Sequence, residues 1–221
     1  MQKFKKGFTL AEVLITLLII GVIASIVVPG LISNTNEAEY NVGVKKAYSD
    51  LSNATKMVQT NNGGVIRVGV GNTAQGYKDF RDDYCSVMSC TMTGTGTVLW
   101  GGINYKQYKV QSTYNPWGGV DSAAVLSNGF LLYFHSDDNC TNAGVINRCG
   151  EIFVDINGQK GPNMWGKDVY DFNVTRQNGN GVYLVLPAGV QGDTSNPATS
   201  CIAGQGYGCA AVRLTTPELM Q

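Results

Sequence analysis

Residues 5–18 read KKGFTLAEVLITLL, and the charge at Glu12 decides how the rest of the chain is read. Glu12 stands at the mouth of a run, Val13–Val28 (VLITLLIIGVIASIVV), that holds no charged side chain. A carboxylate there is costly to bury without a partner. From Phe8 to Pro29 the segment is 22 residues, about 33 Å as a helix against a bilayer core of about 30 Å. A secretory signal has a shorter apolar stretch with a small-x-small cleavage site behind it, and neither feature fits here. Lys3, Lys5 and Lys6 precede the run and are expected to hold that end in the cytoplasm. The remainder then lies beyond the membrane.

The cysteines agree with that placement. Cys85, Cys90, Cys140, Cys149, Cys201 and Cys209 form no C-x-x-C, and His135 is the lone histidine, so zinc is disfavoured. They fall into three local couples, with four, eight and seven residues between members. That suggests three small disulfide-closed loops in an oxidising compartment, although six cysteines allow fifteen pairings. Charge excludes little else. With the three leading lysines removed, 13 basic residues face 16 acidic ones. No basic patch of the kind a nucleic-acid binder needs is present, and only weak DNA contact through scattered lysines stays open.

The segment KKGFTLAEVLITLLIIGVIASIVVP resembles the amino terminus of type IV pilins and type II secretion pseudopilins. The resemblance lies in a short basic leader ending at Gly7, then Phe8, Thr9 and Leu10, a glutamate five residues after the glycine, an apolar helix, and Pro29 where such helices often kink. It implies cleavage between Gly7 and Phe8 by prepilin peptidase and N-methylation of the new Phe8 amine. It also implies passage from the inner membrane to a periplasmic or cell-surface filament, with a pilus or secretion assembly platform as partner. Glu12 then acquires a purpose. Cleavage leaves a cation on Phe8, four residues before Glu12. Two copies offset along a shared axis match the amine of one to the carboxylate of the other, which favours a single register.

From Leu31 the composition becomes amphipathic. Val44, Ala47, Tyr48, Leu51, Ala54 and Val58 recur at helical spacing, with Lys45, Lys46, Asp50 and Lys56 elsewhere. The helix is expected to continue to Gly63-Gly64, with a kink or local melting between Pro29 and Asn36. Beyond it, short runs rich in Val, Tyr, Phe and Ile read as strands: 65–70, 105–111, 130–135, 151–156, 169–174 and 181–186. Turn signals precede two of them, at Ser127–Gly129 and Asn178–Gly181. Residues 71–104 and 187–209 read as loops. The expected fold is α+β and pilin-like: a long amino-terminal transmembrane-plus-amphipathic helix packed on an antiparallel β-sheet head. The expected organisation is 1–7 leader, 8–30 transmembrane and assembly helix, 31–62 amphipathic helix, and 63–221 disulfide-stabilised head.

Within the head, residues 153–172 (FVDINGQKGPNMWGKDVYDF) concentrate oxygen donors. Asp155-x-Asn157-Gly158 has the alternation that opens a calcium loop, but no acidic residue follows at the third position and no Glu at the twelfth. The D-x-N-G-x-K-G-P-N-x-x-G-x-D pattern also resembles a head motif of some pseudopilin-like proteins, of which some secretion members hold calcium near their carboxy terminus. Asp155, Asn157 and Asp168 are therefore the metal candidates, against the alternative of a turn capped by its own Asp and Asn side chains. No cofactor is required by this reading, and calcium is the one to test. His135-Ser136-Asp137 has the residue types of a hydrolytic triad but no nucleophile elbow. Trp100, Trp117 and Trp165 neighbour glycines and are expected in the core.

The function expected is structural and not enzymatic: a pilin or pseudopilin subunit that polymerises with copies of itself through its first helix. The alternatives are a minor tip pilin acting as an adhesin or as a DNA- or surface-binding module, and a membrane-anchored enzyme with an uncleaved anchor.

Overall fold

The structure is a computed structural model, and it describes residues 7–67, 73–99, 105–108, 110, 122–137, 140, 147–177, 181–190, 200–201 and 204–216. The chain divides into two compact units, Met1–Glu39 and Tyr40–Gln221.

Helix α1 spans Leu10–Asn61 and contributes to both units. In the first unit its residues up to Pro29 are all exposed. The two hydroxyls within the apolar stretch are turned onto the helix itself: Thr16 Oγ1 donates to Val13 O at 2.9 Å and Ser25 Oγ to Val22 O at 2.7 Å. Such back-bonding lets a polar side chain sit in a segment with no water around it. The helical state runs through Pro29 without interruption, so the expected melting is absent. Proline removes one hydrogen bond, but ending a helix and renucleating it costs more than carrying that loss.

In the second unit α1 buries Tyr40, Val44, Ala47, Leu51, Ala54 and Val58, one stripe at three- and four-residue spacing. It ends at Asn61, and Gly63 and Gly64 follow at positive φ. The stripe packs on a six-stranded antiparallel sheet in sequence order: β1 (Cys90–Gly94), β2 (Ser122–Leu126), β3 (Leu131–Ser136), β4 (Arg148–Asp155), β5 (Val169–Arg176) and β6 (Tyr183–Pro187). Alternate residues point to opposite faces. Leu132, Phe134, Ile152, Val154, Tyr170, Phe172 and Val174 therefore share one core cluster with the α1 stripe, while Leu131, Tyr133, Phe153 and Val169 form a second cluster with Leu99, Tyr105 and Trp165.

Among the described residues, α2 (Ala74–Cys85) precedes β1, α3 (Gly96–Leu99) lies between β1 and β2, and α4 (Cys209–Thr215) follows β6. α2 corrects the loop expected over 71–104. Thr73 caps it, and Tyr77, Phe80 and Tyr84 recur on its buried face. Phe80 meets Tyr84 and Phe134 edge-on, with centroids 5.3 and 5.4 Å apart. β1 and β2 were not expected from sequence. Of the expected strands, 65–67 are irregular, and the rest of 65–70 lies outside the described residues. In 105–111 the ordered pairing is one isolated bridge, Lys106 to Met164.

The six cysteines form three disulfides, Cys85–Cys90, Cys140–Cys149 and Cys201–Cys209. The first joins the end of α2 to the start of β1, and the third ties α4 to the chain before it.

Candidate functional site

At the amino terminus, Thr9 and Glu12 make a reciprocal cap on α1. Glu12 Oε2 accepts from Thr9 N at 2.8 Å and from Thr9 Oγ1 at 2.9 Å, while Glu12 N donates to Thr9 Oγ1 at 3.3 Å. This is the T-x-x-E capping box, a spacing visible in the sequence that the apolar run overshadowed. Glu12 Oε1 accepts no hydrogen bond among the described residues, so the cap leaves one carboxylate oxygen available. Phe8 is 89% exposed. A Cβ added to Gly7 would meet nothing within 4 Å. Glycine at position 7 is thus not demanded by local packing.

The second site is the β4–β5 loop. Asp155 closes β4 and Asp168 stands just before β5, and both are fully buried. Asp155 Oδ1 accepts from Asn157 N at 3.1 Å and Oδ2 from Tyr105 Oη at 3.2 Å. Asp168 holds the far side of the loop, with Oδ2 accepting from Asn163 N at 2.7 Å and Oδ1 from Met164 N at 2.6 Å. Asn157 Nδ2 donates across the loop to Gly161 O at 3.3 Å. The backbone turns through Gly158 and Asn163 at φ of 67° and 51°. A Cβ on Gly158 would lie 2.9 Å from Gly129 O, so that turn also needs the absence of a side chain.

Burial pushes the Asp155 carboxyl up to about 8, and the neighbouring Asp168 charge adds to the rise. Burial also raises Asp168, opposed by the amides of Met164 and Asn163. Two amide oxygens in the loop, Asn157 Oδ1 and Asn163 Oδ1, are buried and accept no hydrogen bond. The structure therefore brings Asp155, Asn157 and Asp168 into one loop and adds Asn163 and Tyr105. The donors are all hard oxygens, as calcium prefers. Each carboxylate oxygen already accepts a hydrogen bond, so a cation would share them. Among the described residues, no group of three or more His, Cys, Asp or Glu side chains could hold a metal ion.

The remaining candidates separate. His135 Nε2 approaches Asp137 Oδ1 at 3.8 Å, but Asp137 pairs mainly with Arg148 at 2.6 Å. Ser136 lies between them on the opposite face of β3, so the three do not converge. Trp165 is fully buried and meets Phe153 and Tyr207 edge-on at 5.5 and 4.9 Å. Trp100 and Trp117 lie outside the described residues.

Residues 2–28 match the family model described as the prokaryotic N-terminal methylation motif. The chain is similar to proteins named type II secretion system core protein G. It is 43% identical over 61 residues to that of Escherichia coli (strain K12), covering 26% of this chain and 39% of the relative. It is 42% identical over 66 residues to that of Aeromonas hydrophila, covering 28% and 43%. It is 41% identical over 51 residues to that of Dickeya chrysanthemi, covering 23% and 31%. The chain thus spans less than half the length of each of these relatives. No solved structure matches it. The head is an α+β layer of pilin-like layout, and the chain that carries it has a prepilin-type methylation motif over residues 2–28 and a partial similarity to type II secretion system core protein G.

Proposed function

We propose that this chain is a structural subunit, a pilin or pseudopilin, of a type IV pilus-like or type II secretion filament. The carrying observation is the amino terminus: the methylation motif over residues 2–28, followed by a 20-residue apolar helical segment, Leu10–Pro29, with no part buried. Exposed apolar surface of that extent needs lipid or other helices around it. Prepilin peptidase would cleave between Gly7 and Phe8, and Phe8 would be N-methylated. The subunit would wait in the inner membrane with its head outside the cytoplasm, then join a filament by helix bundling. The role is structural and not catalytic.

In this reading Glu12 serves two partners. Oε2 holds its own helix cap through Thr9, and Oε1 receives the Phe8 ammonium of a neighbouring copy. Two substitutions separate the roles. Glu12→Gln keeps the capping geometry, since glutamine serves at this position, but removes the charge. Glu12→Ala removes both. Both variants are expected to insert, to be cleaved and to drop out of filaments. Normal filament incorporation of Glu12→Gln would contradict the ion-pair role.

A minor, tip-located subunit that binds a surface, glycan or DNA is the second reading. The matches to core protein G cover 26% and 28% of the chain, which leaves room for a head of its own specificity. Copy number per filament decides: a few copies support the tip position, and many support the shaft.

Calcium in the β4–β5 loop belongs to the same proposal. Asp155, Asn157 and Asp168 would hold it, with Asn163 as a fourth donor, and the ion would supply charge compensation for two buried carboxylates. Millimolar calcium is expected to raise the melting midpoint of the protein but not of Asp168→Asn. An unchanged midpoint in the parent protein would remove the site.

A further inference from the structure

We propose that Arg213 is a clasp that makes the β4–β5 loop and the first head turn of α1 open and close as one unit. Arg213 lies on α4 and is fully buried. Its Nε donates to Gly166 O at 3.2 Å, in the turn just before Asp168. Its Nη1 donates to Asn41 Oδ1 at 3.0 Å. Asn41 is the second residue of the compact unit that begins at Tyr40. A guanidinium suits this task because its donors form a rigid fork that spans two acceptors on different elements.

The same loop meets the same turn of α1 at a second point. Gly43 lies against Ile156, at the loop's other end; a Cβ there would come within 2.5 Å of Ile156 Cδ1. The loop thus touches α1 directly through Ile156 and indirectly through Gly166 and Arg213. Its two ends are joined to each other by Ile156 N donating to Asp168 O at 2.9 Å.

α4 is itself fixed in place. Cys209 is bonded to Cys201, and Ala211 N donates to Ala188 O at 3.1 Å. The Gly166 turn approaches α4 so closely that a Cβ would lie 2.5 Å from Cys209 Sγ, and its φ is +79°. A glycine at that turn is required by both facts. The carboxy-terminal helix therefore brackets the loop against the helix that enters the head.

Coupling of this kind is reciprocal. Anything that orders the loop stiffens Tyr40–Val44, and anything that pulls on this turn of α1 loosens the loop. The coupling rests on the bonds named above and requires no bound cation.

Amide hydrogen exchange of the full chain in detergent micelles, in calcium-free buffer, tests it. Asn41→Ala removes one acceptor at a half-exposed helix position and leaves the loop's own contacts in place. It is expected to speed exchange at 163–169 as well as at 40–46, by roughly tenfold in each, with β3 and β4 unchanged. Arg213→Met, which keeps the stem without the fork, is expected to do the same to a larger degree. Faster exchange confined to 40–46 in Asn41→Ala would overturn the clasp. If Arg213→Met leaves no folded head, Asn41→Ala decides alone by the same readout.

Discussion

Glu12 has two carboxylate oxygens, and Thr9 engages only Oε2. This division leaves Oε1 for the neighbouring-chain contact proposed above. The buried pair in the head makes a different statement. In the folded protein the Asp155 carboxyl is pushed from 3.8 up to about 8 by burial, beside Asp168. The folded state thus holds this proton more tightly than the unfolded chain does. The associated stability is complete below 3.8 and is lost as pH rises through about 8. In metal-free buffer the melting midpoint is expected to fall across that window, and Asp155→Asn is expected to flatten the slope. A parent protein whose midpoint does not fall across that window would contradict the burial of this carboxyl. Calcium works against the proton, so its stabilisation is expected to be larger at pH 8 than at pH 5. Asp155 and Asn157 were legible as alternating oxygens beside Gly158, and Asp168 through the resemblance to a pseudopilin head motif. Tyr105 was not, since its contact with Asp155 crosses 50 positions of sequence. Arg213 was equally hidden, because nothing near it in sequence marks a buried cation.

At the scale of elements, the stripe on α1 and the strands β3 to β6 followed from periodicity and turn chemistry. α2 did not, because five of its twelve residues are charged and its apolar face is made of aromatics among them. β1 and β2 were missed because CTMTG is polar and largely exposed, while SAAVL is a short run without alternation that is buried by its neighbours in the sheet. Two elements carry sharp predictions. Gly150 on β4 stands where a Cβ would lie 2.6 Å from the His135 carbonyl and 3.0 Å from Phe80. Gly150→Ala is expected to cost about 1–3 kcal/mol, seen as a lower denaturation midpoint. The outer edge of β6 is closed by Gln59, whose Oε1 accepts from Tyr183 N at 3.1 Å and whose Nε2 donates to Tyr183 O at 2.8 Å. The amide thereby acts as one residue of an absent seventh strand. Gln59→Ala is expected to destabilise by about 1–2 kcal/mol and to promote aggregation through the opened edge, read by unfolding and light scattering.

For the molecule as a whole, the two compact units have different needs. The head closes its own core on both faces of the sheet and is stapled by three disulfides. Each closes a short loop and contributes roughly 2–3 kcal/mol on the chain-entropy account. The first unit buries nothing along Leu10–Pro29, and in the proposed reading lipid or other copies cover that surface. That contrast is what a subunit stored in a bilayer and then bundled would show, and it was readable from composition alone. The most direct measurement is the mass of the mature protein purified from cells. The account predicts a chain that begins at Phe8 and carries a methyl group on its amine. A chain that still begins at Met1 would contradict it, since the cation that Glu12 is proposed to receive would never form.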